Sequence, residues 1–349
     1  MKVVVTGATG NVGTSVLGAL AEDPAVAEVV GIARRRPPAT GSKTSWVERD
    51  IVRDDLVDAF AGADAVIHLA WAIQPSRDER TLRAINVSGS ERVFRAALDA
   101  GVGALVHASS VGAYAPGPKD SPVDESWPTT GIETSFYSRH KAIVEELLDE
   151  LEADAPGLRV VRMRPALIFK GDAASEIRRL FAGPFLPGFL LRPRLIPFVP
   201  RIAGLRFQAV HSLDVGDAYR RAVVGDAHGA FNLAADPVIG PDELASVLEA
   251  RTVPVPARVA RALTDATWRL HLQPTPPGWL DLALRVPVMD SGRASRELGW
   301  RPTRASTEAL QELLAGLRHG QGAPTPPLDP DAGGPARLGE LRTGVGEKQ

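Results

Sequence analysis

The chain has 349 residues, and its 44% hydrophobic and 23% charged content is typical of a folded protein large enough for about two domains. The 40 Lys and Arg residues nearly balance the 42 Asp and Glu residues, and a formal net charge of -2 argues against a nucleic-acid-binding surface. The absence of cysteine excludes disulfides, thiolate metal sites and cysteine nucleophiles. The first residues lack the pattern of a secretory signal, so we expect a cytoplasmic location.

Short apolar segments with strand character alternate with longer segments of helical character over the first half of the chain. Strands are predicted at 3–5, 29–32, 65–69, 104–108 and 158–163. Helices are predicted at 12–21, 81–100 and 136–151. Because apolar strands joined by helices form parallel sheets that are covered on both faces, the pattern predicts an α/β fold of the Rossmann type with a doubly wound parallel sheet.

The alternation stops after about residue 169, and a stretch rich in Pro, Arg and aromatic residues follows at 177–207. Its prolines and arginines interrupt the apolar runs, so we expect no transmembrane segment there. We interpret it as a packed connection in a second domain or as an apolar lid over a substrate, with a membrane-surface patch as a third alternative. Residues 320–349 are rich in Gly and Pro and poor in large apolar side chains, which predicts a flexible tail.

The domain organisation follows from these segments. A dinucleotide-binding domain is predicted at 1–170 together with about 209–235. A smaller, mostly helical substrate-binding domain that includes the lid is predicted at 171–208 together with 236–319.

Three glycines follow the first predicted strand directly and open the first predicted helix. Gly7, Gly10 and Gly13 lie in the segment TGATGNVG at 6–13. Glycines at this place let the backbone turn sharply and approach a pyrophosphate, while the helix N-terminus offers free N–H groups. The pattern therefore predicts a dinucleotide site, and the alternative is a turn that only closes the helix on the strand.

Basic side chains occupy the end of the second predicted strand, where folds that prefer NAD carry an acidic residue. Arg34 and Arg35 offer planar donors that suit a 2′-phosphate, which favours NADP(H) as cofactor and leaves NAD(H) open. A solvated run of charges is the alternative. Asp50 and Ile51 follow a further predicted strand and are interpreted as contacts at the adenine edge, although Asp50 also suits a helix cap.

A tyrosine and a lysine, Tyr137 and Lys141, lie one turn apart on the predicted helix 136–151, so the ammonium lies near the phenol. A positive neighbour lowers the pKa of a tyrosine from about 10 toward the range that a general acid/base needs. The alternative is a surface lysine that covers a half-buried tyrosine. Ser109 and Ser110 end the predicted strand 104–108, at the edge where a parallel sheet opens onto its ligand crevice.

Taken together, these residues resemble the extended short-chain dehydrogenase/reductase superfamily, in the branch of NAD-dependent epimerases and dehydratases. The resemblance covers roughly residues 2–318. Besides the residues named above, the segments that carry it are His68 to Ala70, Asn86 to Gly89, Tyr114, Arg164-Pro165, His211 to Val215 and Leu298 to Pro302.

The resemblance implies a role for each matching residue. Tyr137 would be the catalytic acid/base, Lys141 would bind the nicotinamide ribose and lower the tyrosine pKa, and Ser110 would orient the substrate oxygen, with Ser109 as the alternative. The implied cofactor contacts are Gly7, Thr9, Gly10, Asn11, Val12, Gly13, Leu69, Ala70, Asn86, Ser109, Tyr137, Lys141 and Pro165. For Asn86 the alternative is a polar residue satisfied inside a helix bundle. A homodimer through 81–100 and 136–151 is the partner that the resemblance suggests.

The chain departs from the family pattern at three places, one of which is Ala113-Tyr114-Ala115, where many sugar epimerases have Val-Tyr-Gly. Val111-Gly112 stands where nucleotide-sugar dehydratases carry an acidic pair, which argues against water elimination. Trp71 stands where alanine is usual and would narrow the site beside the nicotinamide. The histidines His68, His107 and His211 lack metal-ligand spacing, so no metal site is predicted.

The predicted function is hydride transfer between NAD(P) and the carbonyl/alcohol pair of a small-molecule substrate, for which the 177–207 stretch indicates apolar character. Two alternatives stay open. One is an epimerase that keeps NAD tightly bound, and the other is an NADP-binding protein without catalysis.

Overall fold

The computed structural model describes residues 1–38, 41–182 and 196–331. Its strands, in chain order, are β1 (Lys2–Thr6), β2 (Glu28–Ala33), β3 (Thr44–Glu48), β4 (Ala65–His68), β5 (Ala104–Ala108), β6 (Arg159–Pro165), β7 (Leu167–Phe169), β8 (Phe198–Arg201), β9 (Phe207–His211), β10 (Gly229–Leu233), β11 (Ala235–Ile239) and β12 (Arg251–Pro254).

Its helices are α1 (Asn11–Glu22), α2 (Val57–Phe60), α3 (Glu79–Arg83), α4 (Gly89–Asp99), α5 (Phe136–Asp154), α6 (Ala174–Ile177), α7 (Ser212–Val224), α8 (Pro241–Leu248), α9 (Ala257–Arg269), α10 (Gly278–Arg285), α11 (Gly292–Glu297) and α12 (Ser306–His319). Within the described ranges, none of these helices combines the length and the apolar character that crossing a membrane requires.

The main sheet of the described chain contains seven parallel strands in the order β10-β6-β5-β4-β1-β2-β3. The strand order reverses beside β1, so a crevice opens between the carboxyl ends of β1 and β4. The predicted doubly wound parallel sheet is therefore confirmed. The predicted helix 81–100 is in fact two helices, α3 and α4, joined by a π-helical turn at Ala84–Ser88.

Helices cover both faces of this sheet. Successive side chains of a strand point to opposite faces, and the apolar side chains on both faces are buried. Val3 and Val5 pack with α1 and α7, whereas Val4 packs with α4 and α5. All three valines are fully buried. This explains why β1 is a continuous apolar run instead of an alternating one.

A smaller part of the fold contains β7, β9 and β11 in one sheet and β8 with β12 in another. Helices α8 and α12 pack against these strands around Ile239, Leu248 and Leu310. Of the predicted lid at 177–207, residues 177–182 and 196–207, which include β8, belong to the described residues, while 183–195 lie outside them. The predicted domain boundaries stay a prediction.

The first part of the predicted flexible tail, 320–331, is folded against the rest of the protein. Leu328 is 0% exposed, and the Thr325 hydroxyl donates to the Thr9 carbonyl oxygen at 2.8 Å. The Gln321 carbonyl accepts the backbone N–H of Ser175 at 3.2 Å and its hydroxyl at 2.7 Å. One apolar side chain and several backbone groups of 320–331 thus contact residues far away in the sequence, and the flexibility of the tail stays a prediction. Residues 332–349 lie outside the described ones.

A buried carboxylate attaches α5 to the main sheet. Glu145 of α5 accepts hydrogen bonds at 2.8 and 2.9 Å from Arg164 of β6, and it also accepts one from the Ser109 hydroxyl at the end of β5. The Glu145 side chain is 1% exposed and that of Arg164 is 5% exposed. Burial acts to raise the pKa of Glu145, but the hydrogen bonds and the charge of Arg164 outweigh it and hold the pKa below its usual range.

We expect Glu145→Ala to lower the free energy of unfolding by about 3–5 kcal/mol, because Arg164 would be left as a buried charge without its partner. Since the pKa of Glu145 is lowered, its stabilising contribution is present above about pH 4.5 and is lost as the pH falls through the folded-state pKa. Urea unfolding at pH 7 and at decreasing pH measures both effects.

The matched control is Glu146→Ala, which removes an exposed carboxylate from the next position of the same helix. It should change the free energy of unfolding by about 0.5 kcal/mol or less. Equal effects of the two substitutions would contradict the anchoring role of Glu145.

Candidate active site

The glycine turn between β1 and α1 is shaped by close backbone contacts. Gly7 has φ +69°, and a Cβ there would lie 2.6 Å from the nitrogen of Ala70. A Cβ at Gly13 would lie 2.4 Å from the carbonyl oxygen of Gly7. Only glycine fits at these two positions, because any side chain would collide with backbone.

The start of α1 has the features of an anion-binding site. Gly10 is its N-cap without a side-chain cap, and the first turn contains no acidic residue. A Cβ at Gly10 would meet only the Gly7 carbonyl, at 3.6 Å, so this side of the turn is open. The Oδ1 atom of Asn11 is buried without a hydrogen-bond partner among the described residues. Free N–H groups, the helix dipole and an unused acceptor together fit the pyrophosphate and ribose of a dinucleotide.

The loop after β4 lies directly beside this turn, as the contact between Ala70 and Gly7 shows. The Asn86 side chain fixes the loop, because its Oδ1 accepts from the Ala72 N–H at 2.7 Å and its Nδ2 donates to the Ala72 carbonyl at 2.8 Å. Both amide groups of Asn86 are thus used by backbone. Asn86 lies in the π-helical turn and holds the residue that follows Trp71, and its predicted contact with the cofactor stays a prediction.

The predicted adenine-side residues lie at the carboxyl ends of β2 and β3. Arg34 and Arg35 are exposed there. Asp50 accepts the Val52 N–H at 2.9 Å within a turn, and it caps no helix, because α2 begins only at Val57 with Leu56 as its N-cap. Ile51 is buried against the position of Gly89. A contact of Asp50 or Ile51 with adenine stays a prediction.

The structure brings Ser110 and Tyr137 together. A Cβ at Gly112 would lie 2.7 Å from a carbon of the Tyr137 ring and 3.3 Å from the Ser110 hydroxyl oxygen, which also accepts the Gly112 N–H at 3.0 Å. Ser138, the next residue of α5, donates its hydroxyl to the Gly112 carbonyl at 2.5 Å, which ties the start of α5 to the turn after β5. The predicted pairing of a serine after β5 with the tyrosine of α5 is therefore present in the fold.

The Lys141 ammonium is buried against a tryptophan face. It lies 3.4 Å above the centroid of the Trp71 ring and 5.8 Å from the centroid of the Tyr137 ring. It also donates to the Ala108 carbonyl oxygen at 2.5 Å. Trp71, which stands where alanine is usual, thus supplies a cation–π contact to the lysine instead of only narrowing the site.

The acidity of the tyrosine differs from the sequence-based expectation. Burial raises the pKa of Tyr137 to about 12, although the hydrogen bond from Ser110 acts to lower it. Burial also lowers the pKa of Lys141 well below its usual range, with the Glu145 carboxylate opposing this. The predicted lowering of the tyrosine pKa is absent in this structure, because desolvation of both groups exceeds the effect of a lysine that faces Trp71 and Ala108.

Aromatic rings surround the phenol. The ring centroids of Tyr137 and Trp279 are 4.8 Å apart, and those of Tyr137 and Trp71 are 6.0 Å apart. Phe181 packs against Trp279 in an edge-to-face arrangement, with 4.9 Å between the ring centroids. The sequence analysis missed Trp279, because a single tryptophan in a helical segment does not reveal which residues distant in the sequence it contacts. Phe181 was noted only as part of the apolar 177–207 stretch.

The structure also defines the surroundings of Ser109, Pro165 and His68. The Ser109 hydroxyl donates to Glu145, so Ser109 is a support of the sheet and Ser110 is the serine that meets Tyr137. Pro165 is buried at the carboxyl end of β6. His68 bridges Thr6 and Ser90 through its two ring nitrogens at 2.7 and 2.9 Å, and burial lowers its pKa to about 3, so it is neutral.

The chain is similar to curated proteins over most of its length. It is 28% identical to an uncharacterized protein of Mycobacterium tuberculosis over 91% of this chain and 30% of that protein, so it spans about 30% of this relative's length. It is 28% identical to the 4-hydroxy-2-methyl-3-oxo-4-farnesyl-3,4-dihydroquinoline-1-oxide ketoreductase of Stigmatella aurantiaca, over 93% of this chain and 98% of the relative. It is 30% identical to the L-arabinose 1-dehydrogenase (NAD(P)(+)) of Haloferax volcanii, over 50% of this chain and 70% of the relative.

Solved structures share the fold. MoeE5 in complex with UDP-glucuronic acid and NAD matches with a TM-score of 0.67 at 22% identity, over 91% of this chain and 99% of MoeE5. The model of the NAD dependent epimerase/dehydratase family matches residues 3–172, which include the glycine turn, Ser110, Tyr137 and Lys141. With this match and the similarity to the Haloferax dehydrogenase, the chain belongs to the NAD dependent epimerase/dehydratase family.

Proposed function

We propose that this chain is an NADP-dependent oxidoreductase that transfers a hydride between the nicotinamide and the carbonyl/alcohol pair of an apolar substrate. The observation that carries the proposal is the proximity of the Ser110 hydroxyl and the Tyr137 ring on either side of Gly112, with Lys141 one turn further along α5. These groups lie at the carboxyl edge of the sheet that also carries the glycine turn.

The nicotinamide, when bound, supplies or accepts the hydride. The chain's own residues hold the substrate oxygen and move one proton. Because burial raises the pKa of Tyr137 to about 12, the phenol is protonated at neutral pH and is ready to donate its proton to a carbonyl oxygen. The hydroxyl of Ser110 is placed to orient that oxygen beside the phenol. This protonation state suits the step in which a carbonyl oxygen takes up a proton.

The residues after the serine argue against water elimination. Val111-Gly112 supplies no carboxylate, and a Cβ at Gly112 would lie 2.7 Å from a carbon of the Tyr137 ring. Even a small side chain at this position would therefore push the phenol away. Glycine here lets Tyr137 approach Ser110, and neither Val111 nor Gly112 offers an acid or a base for a dehydration.

The aromatic surroundings of the phenol support an apolar substrate. Trp71, Trp279 and Phe181 present ring faces and edges around Tyr137. Such walls favour flat or lipid-like carbonyl compounds over a charged sugar nucleotide. The relative from Stigmatella is named as a ketoreductase of a farnesyl-bearing quinoline, which agrees with this substrate class. The homodimer and the cytoplasmic location stay predictions.

A substrate screen tests the proposal. Purified protein is incubated with NADPH and with aldehydes, quinones, sterol-like ketones and nucleotide sugars, while absorbance at the nicotinamide band is followed. We expect net oxidation of NADPH with apolar carbonyl compounds. Inversion of a sugar carbon without net absorbance change would instead identify an epimerase, and binding of NADPH without turnover of any compound would favour a non-catalytic protein.

We expect Tyr137→Phe to reduce kcat by about 10²- to 10⁴-fold, because it removes the proton donor. The dissociation constant of NADPH should stay within about twofold, since the ring itself is kept. Tyr219→Phe serves as the control, because it removes a hydroxyl from a buried tyrosine of α7 outside the site. Unchanged turnover of Tyr137→Phe would remove this residue from its proposed role.

The cofactor preference is tested at the end of β2. We expect NADPH to bind more tightly than NADH, and Arg34→Ala with Arg35→Ala to weaken NADPH binding by about tenfold or more while NADH binding changes little. Arg36→Ala, the next exposed arginine, is the matched control. Titration calorimetry gives the constants, and equal affinities of the unmodified protein for both cofactors would contradict the assignment to NADP.

A further inference from the structure

The helix α9 carries large apolar side chains on the side that faces solvent. Val259 and Leu263 of α9 and Leu270 directly after it are 52%, 65% and 69% exposed. Their spacings of four and seven residues place them on one face of the helix, and we call these three residues the α9 stripe. The half-buried positions of α9 include Thr264 and Thr267 instead. A helix on the surface of a folded protein normally turns its apolar stripe toward the core, so the orientation of α9 is inverted.

Further exposed apolar side chains adjoin the α9 stripe in the chain and in the neighbouring sheet. Val253 of β12 precedes α9, and Leu272 follows it. Phe198 belongs to β8, which pairs with β12. With the stripe, these are six of the ten large apolar side chains that are exposed among the described residues. Such a concentration of apolar surface marks a place where another surface binds.

The charges around the α9 stripe are basic. From 251 to 273 the sequence has four arginines, while its acidic residues are limited to Asp265. Asp265 is paired with Arg269 at 2.9 Å, whereas Arg251 and Arg258 are exposed to solvent. An exposed apolar stripe beside arginines is the pattern of helices that lie in the interface of a membrane with anionic lipids.

The 177–207 stretch, which runs through β8 and contacts the residues after α9, has a similar composition. Its sequence contains six arginines, five phenylalanines and neither aspartate nor glutamate. Two copies of this chain that met through this region would place arginines opposite arginines, and such like-charge contacts are unfavourable. The charge therefore favours an anionic lipid surface over a second copy as the partner.

The segment that carries the stripe is attached to the aromatic surroundings of the phenol. Arg261 of α9 is paired with Asp281 of α10 at 2.9 Å, and α10 also carries Trp279. The Thr275 hydroxyl, a few residues after α9, donates to the Phe181 carbonyl oxygen at 2.5 Å. The two aromatic residues named here are those that pack on each other beside Tyr137.

We propose that the α9 stripe docks on the surface of a membrane that contains anionic phospholipids. Val259, Leu263 and Leu270 insert at the boundary between headgroups and acyl chains, and the neighbouring arginines bind lipid phosphates. Docking brings the aromatic surroundings of Tyr137 close to the phase in which apolar carbonyl compounds dissolve. The inference goes beyond the proposed function, because docking itself requires neither a cofactor nor turnover.

The experiment measures binding of the purified full chain to vesicles by flotation. One set of vesicles is phosphatidylcholine alone, and the other also contains about 30% phosphatidylglycerol. We expect the chain to bind the anionic vesicles at least about tenfold more strongly than the neutral ones. NaCl at about 0.5 M should weaken this binding, because salt screens the attraction between arginines and phosphates.

The contribution of the stripe is tested with the double variant Leu263→Gln and Leu270→Gln. It should weaken binding to anionic vesicles by about tenfold or more, because two apolar side chains no longer insert. Both positions are exposed and glutamine has nearly the helix propensity of leucine, so the melting temperature should stay unchanged. The matched control is Leu213→Gln with Val224→Gln, which removes two exposed apolar side chains from α7 and should leave vesicle binding unchanged.

The contribution of charge is tested with Arg258→Gln. This variant should weaken binding to anionic vesicles by about threefold to fivefold and leave the weak binding to neutral vesicles unchanged. The salt dependence of the unmodified protein is measured without any variant, and its absence would contradict docking on anionic lipid.

Other results would overturn the proposal. These are a chain that binds no anionic vesicles, equal binding to both kinds of vesicle, and equal losses from the α9 and α7 double variants. A dimer that dissociates in the α9 double variant, measured by sedimentation, would also overturn it, because a second copy would then cover the stripe. Vesicle binding by a chain that turns over no carbonyl compound would overturn the proposed function and leave this inference standing.

Discussion

The arrangement of the site depends on one buried carboxylate. Glu145 accepts hydrogen bonds from Ser109 at the end of β5 and from Arg164 in β6, and it belongs to the helix that carries Tyr137 and Lys141. A helix that packed on the sheet through apolar contacts alone could slide or rotate by a fraction of a turn. Three donors from two strands allow one register, in which the Lys141 ammonium reaches the Ala108 carbonyl and Tyr137 reaches Ser110.

Desolvation is the dominant electrostatic influence in this site. Burial raises the pKa of the phenol and lowers the pKa of the ammonium, so each group is driven toward its neutral form. The spacing of four residues on a helix places the two groups on one face but does not decide what each one contacts. Trp71 takes the lysine onto its ring face, where the quadrupole of the indole partly replaces the lost hydration of the ammonium.

The second half of the chain closes the site from outside the main sheet. Trp279 from α10 lies against Tyr137, and residues 321–325 connect Ser175 of α6 with Thr9 of the glycine turn. These segments carry no family motif, whereas Tyr137 and the glycine turn belong to segments that do.

The sequence by itself determined the doubly wound sheet, the glycine turn and the group of Ser110, Tyr137 and Lys141. Local sequence patterns predict these features: continuous apolar strands, glycines at a strand-to-helix turn, and residues one helical turn apart. Only the tertiary structure decided that Ser109 serves Glu145, that Asn86 holds Ala72, that 320–331 is folded, and that the tyrosine pKa is raised. Each of these outcomes depends on side chains that are distant in the sequence and on the exclusion of water by their packing. A local sequence pattern contains no information on these contacts or on burial.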